Sequence, residues 1–313
     1  MTIGRRILFV LMLATLAHIA PPAKAATKLT FLYTPVNSWV GIFVAKDQGY
    51  LEKHGLDIDL TIAQNGSVIA AALVADSAQI GGPTPTVLLQ ANEQGLDLIV
   101  IAGTATYPLN NLSGIIARKD GAIKETKDLL GKKVGVPGLG GLIDVLAKKW
   151  VQAKGVDYHK VDWIELTLAQ MGDGLKSGIA DAVAITDPFY SRIMDSGIGV
   201  NVGDYGSVIP TGTVPIVYTS TRGWATKNAA AVAAFRASLK EAEIFIRDPA
   251  NLPATKAILA KYTMLPPQAA ATLSIPDRLD VDPKPESLSF WITVSREQGL
   301  IKGNPDPASL IAP

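Results

Sequence analysis

The sequence predicts an α/β protein of two lobes that are joined by a two-strand hinge. Short apolar segments typical of β-strands alternate along the chain with amphipathic helical segments, which is the pattern of largely parallel sheets. The 313 residues exceed the usual size of a single domain, about 100–150 residues. The chain also passes twice between the predicted lobes, and a paired crossing can act as a hinge that closes around a bound molecule.

The chain begins with a predicted secretory signal peptide, residues 1–25. Arg5 and Arg6 precede an apolar run from Ile7 to Ala20, and small residues around Ala25 supply a cleavage site. A membrane-spanning helix needs about 20 apolar residues, and this run is shorter and is followed by two prolines. We therefore expect cleavage after Ala25 and a periplasmic location.

The first predicted lobe consists of residues 26–114 and 216–313. Its first part alternates strands and helices, and Gly55 follows the first helix as a C-cap residue. The strands are predicted at residues 29–33, 56–63, 78–82 and 97–102, and the helices at residues 41–54, 66–75 and 87–94. After a returning strand at residues 216–220, the helices are predicted at residues 229–247, 253–261, 267–273 and 288–298.

The second predicted lobe consists of residues 115–215 and follows a similar order. Its strands are predicted at residues 115–118, 132–136, 161–166 and 180–185, and its helices at residues 126–130, 142–154 and 169–177. Leu73 and Leu175 lie in equivalent helix-then-strand units, each of which ends at a turn that contains proline. This similarity is too weak to be a sequence repeat, but it predicts two lobes of related architecture.

Charge and composition argue against several kinds of partner and site. The 29 Lys and Arg residues nearly balance the 28 Asp and Glu residues, so no basic excess is available for a nucleic acid or a membrane surface. The chain has no cysteine, which excludes disulfides, a thiol nucleophile, iron–sulfur ligation and a lipid on an N-terminal cysteine. We expect a monomer without a lipid anchor.

The candidate ligand-binding residues lie in the loops that follow predicted strands. In open parallel sheets, ligands bind beyond the carboxyl ends of the strands. These loops are rich in hydroxyl, amide, glycine and aromatic groups and contain a single acid, Asp187. The candidates are Asn37, Ser38, Trp39, Asn65, Gly66, Ser67, Pro83, Thr84, Thr106, Tyr107, Gly138, Leu139, Gly140, Asp187 and Thr213.

Two predicted helix N-termini among these loops suggest an anionic ligand. The helices that begin near Ser67 and Gly141 would present free backbone N–H groups with partial positive charge, which suit an oxyanion or a carboxylate. The same residues also serve as an N-cap and as turn glycines in proteins without a ligand there. Trp39 and Tyr107 are predicted to contact the apolar part of the ligand, whereas core packing is the favoured role of Phe189.

Catalytic and cofactor patterns are not evident in the sequence. The segment Gly138–Gly141 resembles a dinucleotide-binding turn, but Ile143 stands where a third small residue is required. The histidines do not have the spacing of a metal site, and no Gly-x-Ser-x-Gly motif occurs. Asp181 and Asp187 have no identifiable partner for acid–base catalysis. We predict no catalytic residue, no metal and no cofactor.

Several segments resemble the nitrate/sulfonate/taurine type of substrate-binding protein from ABC importers. Residues 44–58, VAKDQGYLEKHGLDI, resemble the opening helix, turn and strand of that family. Residues 128–137 look like its entry to the second lobe, and residues 288–301 look like its closing helix. Asp187-Pro188-Phe189 is similar to its tryptophan-aspartate-proline turn, although Thr186 replaces the tryptophan.

The resemblance spans about residues 29–310 and implies the type 2 periplasmic-binding-protein fold. It also implies a small-molecule ligand, transient contact with an ABC permease that has a cytoplasmic ATPase, and no enzymatic activity. Enzymes of the same superfamily that make the vitamin B1 pyrimidine carry a cysteine-rich motif, which this chain cannot supply.

The identity of the ligand stays open at the level of the sequence. We expect a small organic anion, either a sulfonate, a taurine-like zwitterion or a carboxylate, with Asp187 orienting the site or binding an amine. The alternative is a pyrimidine, a thiamine precursor or another aromatic compound, with Asp187 as the anchor of a neutral or cationic heterocycle. Alternatives of another class are an exported enzyme and a sensor subunit on the same fold.

Overall fold

The computed structural model describes residues 26–107, 113–265, 275–276 and 278–313. The predicted signal peptide and the helix predicted at residues 267–273 lie outside the described residues. Within the described ranges, no helix has both the length and the hydrophobicity that crossing a membrane requires.

The first sheet has five strands in the order β2-β1-β3-β10-β4. Its strands are β1 Thr27–Tyr33, β2 Leu56–Ile62, β3 Ile80–Gly81, β4 Leu98–Gly103 and β10 Val217–Thr221. β1 runs parallel to β2 and β3, whereas β10 runs antiparallel to β3 and β4. Every residue of β4 is buried although β4 is the last strand of the sheet, because the C-terminal segment covers its outer edge, where the N–H of Ala312 donates to the carbonyl of Val100 at 2.8 Å.

Eight helices of the described chain accompany this sheet. The first four are α1 Val40–Asp47, α2 Tyr50–Lys53, α3 Gly66–Val74 and α4 Pro85–Glu93. The other four follow the return of the chain to this sheet and are numbered after the three helices of the second sheet. They are α8 Arg222–Lys227, α9 Ala229–Arg247, α10 Leu252–Thr263 and α11 Glu286–Glu297.

The second sheet also has five strands, in the order β7-β6-β8-β5-β9. Its strands are β5 Ser113–Arg118, β6 Lys133–Val136, β7 Asp162–Glu165, β8 Ala182–Thr186 and β9 Gly199–Gly203. Its helices are α5 Leu142–Ala153, α6 Met171–Ser177 and α7 Phe189–Asp195. β6 runs parallel to β7 and β8, and β5 runs antiparallel to β8 and β9, so the two sheets share one plan.

Two crossing segments connect the sheets and pair with each other. The backbone N–H of Tyr107 donates to the carbonyl of Thr213, and the N–H of Gly212 donates to the carbonyl of Tyr107, both at 2.8 Å. The N–H of Thr104 donates to the carbonyl of Ile216 at 3.3 Å. The described crossings therefore form a two-stranded hinge. The lobe boundaries at residues 114/115 and 215/216 stay predictions.

A few elements differ from the sequence prediction. The predicted helix at residues 41–54 is two helices, α1 and α2, because Gly49 adopts a left-handed conformation with φ 73° between them. The predicted helix at residues 126–130 is a 3₁₀ turn. The predicted elements do not include α7, β9 or α8; β9 is a short edge strand with glycine at both ends, which gives a weak strand signal.

Candidate functional site

A cavity of about 120 Å³ lies between the two sheets. Its lining includes Thr34 after β1, Gln64 after β2, Pro137 after β6, Leu168 after β7 and Thr186 at the end of β8. The carboxyl ends of parallel strands from both sheets thus face it, as expected for a ligand site in such sheets. A cavity needs about 10–15 Å³ to hold one water molecule, so this cavity has room for a compact group of a few heavy atoms.

Many of the predicted residues line this cavity. Those that do are Ser38, Asn65, Gly66, Ser67, Thr84, Tyr107, Gly138 and Leu139. They come from both sides of the hinge and include the loops before α3, α4 and α5. The structure therefore brings together one set of loops that are distant in sequence.

The N-terminus of α3 presents two backbone donors at the cavity. Asn65 is the N-cap residue, and its Oδ1 accepts the N–H of Val68 at 3.0 Å. The N–H groups of Gly66 and Ser67 are not used by this cap. Since the first N–H groups of a helix have no partner within the helix, these two can receive an anion.

The N-terminus of α5 reaches the cavity from the other lobe. Gly141 is its N-cap residue and has no side chain to occupy the first N–H groups, which belong to Leu142 and Ile143. A Cβ placed on Gly138 would lie 3.6 Å from the Cβ of Asn65, so the two helix starts approach each other across the cleft. Both partial positive charges therefore act on the same small volume.

The carboxylate of Asp144 lies directly behind the start of α5. It is fully buried, and its Oδ2 accepts the N–H of Gly140 at 2.8 Å and the Nζ of Lys148 at 2.7 Å. Burial raises the pKa of Asp144 above its ordinary value, while Lys148 and the Gly140 N–H act in the opposite direction. A nearby carboxylate, Glu165, adds to the increase.

Ser38 contributes a hydroxyl to the wall of the cavity. Its side chain is 5% exposed, and its Oγ makes no hydrogen bond to any described residue. A buried polar group normally has a hydrogen-bond partner, so this hydroxyl is available to a ligand. Tyr107 contributes a second hydroxyl; burial, followed by the charge of Asp204, raises its pKa, so it stays a protonated donor.

The carboxyl group of Asp204, which does not line the cavity, orients one of the cavity hydroxyls. The Oγ of Ser113 donates to Oδ1 of Asp204 at 3.0 Å, and the N–H of Gly206 donates to the same oxygen at 2.7 Å. Among the described residues that line the cavity, none is Asp, Glu, Lys, Arg or His. Recognition at these walls therefore depends on neutral donors and acceptors and on helix dipoles.

The structure corrects the prediction that Trp39 forms a wall of the cavity. Trp39 is 1% exposed and packs against Phe31 and Tyr218, with ring centroids 5.3 and 5.1 Å apart. A Cβ on Gly82 would overlap its indole ring, so the glycine creates the space that Trp39 fills. Asn37, in the same 3₁₀ turn, is buried with it and does not line the cavity.

Asp187 and Gly140 also lie off the cavity wall. Asp187 is 2% exposed, and its Oδ1 accepts the N–H and the Oγ of Ser191 at 3.1 and 2.7 Å, which ties the loop before α7 to the first turn of that helix. The carbonyl of Gly140 accepts the Nε2 of Gln90 at 2.8 Å. Both residues make hydrogen bonds that hold their own loops in place. A position in a loop after a strand is therefore not enough to put a residue on the cavity wall.

The remaining predicted residues lie beside the cavity rather than on it. Thr106 and Thr213 line a separate groove at the hinge, and the described part of that groove includes Arg278 and Lys284. Pro83 does not line the cavity, although its neighbour Thr84 does.

Part of the cavity wall lies outside the loops that follow strands. Leu142, Ile143 and Leu146 line it from α5, and Tyr205 and Ile209 line it from the segment before the hinge. Leu146 is four residues after Leu142 and three after Ile143, which is the spacing of one helix face and could have been recognised next to a predicted helix start. The described residues contain no group of three or more His, Cys, Asp or Glu side chains that could hold a metal ion.

Sequence comparison relates the chain to known binding proteins. A family model described as NMT1/THI5 like matches residues 37–251. The formylaminopyrimidine-binding protein of Halalkalibacterium halodurans is 27% identical over 218 residues, which cover 66% of this chain and 62% of that protein, less than two thirds of its length. The putative aliphatic sulfonates-binding protein of Escherichia coli is 28% identical over 238 residues, which cover 74% and 71%.

Structural comparison settles the fold. The periplasmic aliphatic sulphonate binding protein SsuA of Escherichia coli superposes with a TM-score of 0.73 at 23% identity, covering 92% of this chain and 98% of that chain. The predicted type 2 periplasmic-binding-protein fold, with two α/β lobes and a two-strand hinge, is confirmed.

Proposed function

The chain belongs to the NMT1/THI5-like family, and we propose that it is a substrate-binding protein that delivers a small organic anion to an ABC importer. The observation that carries the proposal is the meeting of two helix N-termini, those of α3 and α5, from opposite lobes at one small cavity. Free N–H groups and aligned peptide dipoles at both ends of the cleft favour negative charge between them.

The head group of the ligand is a sulfonate or a carboxylate in this proposal. The N–H groups of Gly66 and Ser67 and those at the start of α5 donate to its oxygens, and the hydroxyls of Ser38 and Tyr107 complete the shell. Neutral donors suffice for a weakly hydrated monoanion. Among the described lining residues no carboxylate is available to a cation, which favours an anion over a cationic heterocycle.

A pyrimidine-related ligand is the second candidate. Its support is the similarity to the formylaminopyrimidine-binding protein, together with apolar lining residues such as Leu142 and Ile209. In this case the helix N-termini would bind carbonyl oxygens of the ring substituents rather than a full negative charge. The two candidates predict different rankings in one binding panel.

The proposal also concerns the location of the protein, its assembly state and its partners. We infer export to the periplasm as a monomer without a lipid anchor, transient docking to a permease with a cytoplasmic ATPase, and binding without chemical turnover. Support for binding and for a periplasmic location comes from relatives that are binding proteins and from a structural neighbour that is periplasmic. A sensor subunit would bind the same ligand but would present it to a membrane receptor.

A thermal-shift panel tests the proposal. The purified protein without residues 1–25 is heated with sulfonates, carboxylates, taurine, nitrate and pyrimidines. A ligand at 100 times its Kd adds about 2.7 kcal/mol to the free energy of unfolding, so an organic anion is expected to raise Tm by several degrees. A shift by a pyrimidine without any shift by an anion would replace the first candidate by the second, and turnover of a ligand would contradict a pure binder.

A further inference from the structure

A second, larger depression opens beside the cavity and shares two of its wall residues. This outer groove has a volume of about 800 Å³ and is lined from both lobes. Gln64 and Leu168 line the outer groove as well as the inner cavity, so the two spaces are neighbours with a common wall. A ligand with its head in the cavity would meet these two side chains where its organic chain leaves the cavity towards the groove.

Apolar side chains are exposed along the outer groove. Ile62 is 38% exposed and Met264 is 72% exposed, and Phe189, which was predicted to pack in the core, is only half-buried there. Arg192 and Asp195, three residues apart on α7, contribute opposite charges to the rim. A patch of exposed apolar residues within a polar rim is typical of a surface that binds an apolar group.

Met264 adds an independent indication. It ends α10 in a left-handed conformation with φ 56°, at the position where glycine is the usual residue. A side chain at such a position carries a conformational cost that glycine avoids. Its side chain nevertheless lines the outer groove, and strained positions of this kind are often kept where a side chain contacts a ligand.

We propose that the outer groove is a second subsite, which binds the organic chain of the ligand while the head group occupies the inner cavity. The ligand class is thus an elongated amphiphilic anion, such as an alkyl or aryl sulfonate of several carbons, rather than a compact anion such as nitrate. This inference rests on the proposed function, since it needs an anionic head between α3 and α5.

A series of alkanesulfonates of increasing length tests the second subsite. Isothermal titration is carried out with ethane-, butane- and hexanesulfonate. Each methylene that is fully buried improves affinity about fourfold, so we expect Kd to fall by at least about tenfold from ethane- to hexanesulfonate.

Two variants show whether the outer groove is where this gain arises. Ala169→Trp fills the groove with an indole from an exposed position, and the gain from ethane- to hexanesulfonate should shrink to about threefold or less. Ala153→Trp, at an exposed position on the far end of α5, is the matched control and should keep the full gain. Met264→Gly should also reduce the gain while Tm stays the same or rises, because glycine fits the left-handed conformation.

The outcomes separate this inference from the proposed function. Clear binding of ethanesulfonate with no further gain in hexanesulfonate overturns the second subsite and leaves the proposed function standing. An undiminished gain in Ala169→Trp also overturns it. If none of the sulfonates binds, the proposed function fails for sulfonates, and the second subsite fails with it.

Discussion

At the scale of single residues, two buried serines occupy opposite situations. Ser38 lines the inner cavity, and its hydroxyl has no partner among the described residues. Ser238, in α9, is fully buried, and its hydroxyl lies 2.9 Å from the carbonyl of Ala234, to which it donates. A hydrogen bond that exists in the free protein supports folding, whereas an unpaired hydroxyl in a cavity can contribute only when a ligand arrives.

Replacement of the two serines by alanine should therefore separate binding from stability. Hydrogen bonds to charged groups are worth about 1.5–3 kcal/mol, so Ser38→Ala is expected to weaken the binding of an organic sulfonate by at least about tenfold. Ser38→Ala should leave the free energy of unfolding within about 0.5 kcal/mol, since no bond is lost. Ser238→Ala should lower it by about 1 kcal/mol without changing affinity.

Titration calorimetry and urea unfolding of both variants check this prediction. If Ser38→Ala destabilises the protein and binds the sulfonate as tightly as the wild type, the hydroxyl is a structural group rather than a ligand contact.

The sequence predicts whether a residue lies on the cavity where its place after a strand decides this. It predicts poorly where packing against distant parts of the chain decides it. Ser38 was predicted because its loop follows β1, and the structure does place it on the cavity. Trp39, the next residue, was predicted for the same reason but lies in the core. The space it fills is made by Gly82, 43 positions later in the chain, and no local pattern reveals such a pairing.

At the scale of elements, helix α5 carries two opposing electrostatic effects. Its free N-terminus favours an anion, whereas the buried carboxylate of Asp144 lies in its first turn and repels one. Lys148 offsets that charge at 2.7 Å. If Asp144 becomes neutral, Lys148 keeps its positive charge, and the environment of the ligand becomes more favourable to an anion.

Affinity for a sulfonate should accordingly depend on pH through Asp144. Burial raises the pKa of this carboxyl, so protonation occurs at a higher pH than for an ordinary aspartate. Since the sulfonate itself stays ionised, its affinity is expected to rise as pH falls through that pKa. Asp144→Asn should bind more tightly at neutral pH by several-fold and lose this pH dependence.

Titration calorimetry between pH 4 and pH 8 measures both effects. Asp162→Asn, which removes an exposed carboxylate of β7 on the same lobe, is the control and should keep the pH dependence of the wild type. Weaker binding by Asp144→Asn at neutral pH would contradict the electrostatic account. It would mean that the bond from the Gly140 N–H to Asp144 is needed to shape the binding loop.

Elements with strong periodicity could be predicted closely from the sequence. Helix α9 was predicted at its observed bounds, and α5 was predicted to within one residue at its end, because apolar residues recur at helical spacing in both. The sequence prediction did not include the inward face of α5, since an apolar face is compatible with either a core or a cavity. β9 was missed because its pairing with β5 is a tertiary contact.

At the scale of the whole molecule, side chains of the first lobe donate hydrogen bonds to residues of the second lobe. The Nε2 of Gln90 donates to the carbonyl of Gly140, and the Nδ2 of Asn65 donates to Oε1 of Glu165 at 3.1 Å. Glu165 also accepts the N–H of Leu139 at 3.4 Å. The contacts made by Gln90 and Asn65 join residues 50 and 100 positions apart in the chain, so they depend on the relative placement of the lobes and could not be inferred from sequence.

The cross-lobe contacts are consistent with a cleft that closes over its ligand. The paired crossings at Tyr107 and Thr213 provide the hinge, and the helix starts of α3 and α5 lie close together on opposite sides of it. Capture of an anion and closure are then one event, because the ligand supplies the negative charge that both helix N-termini lack.

The position of a bound sulfonate is the most direct test of this account. A crystal structure with 2-bromoethanesulfonate would locate the bromine and the sulfur by their anomalous scattering. We expect a single ligand per chain, with its sulfonate between the N–H groups of Gly66 and Ser67 and the start of α5, and with bromine directed towards Gln64 and Leu168. Bromine and sulfur peaks outside this cleft, or a cleft left without ligand at saturating concentration, would contradict the account.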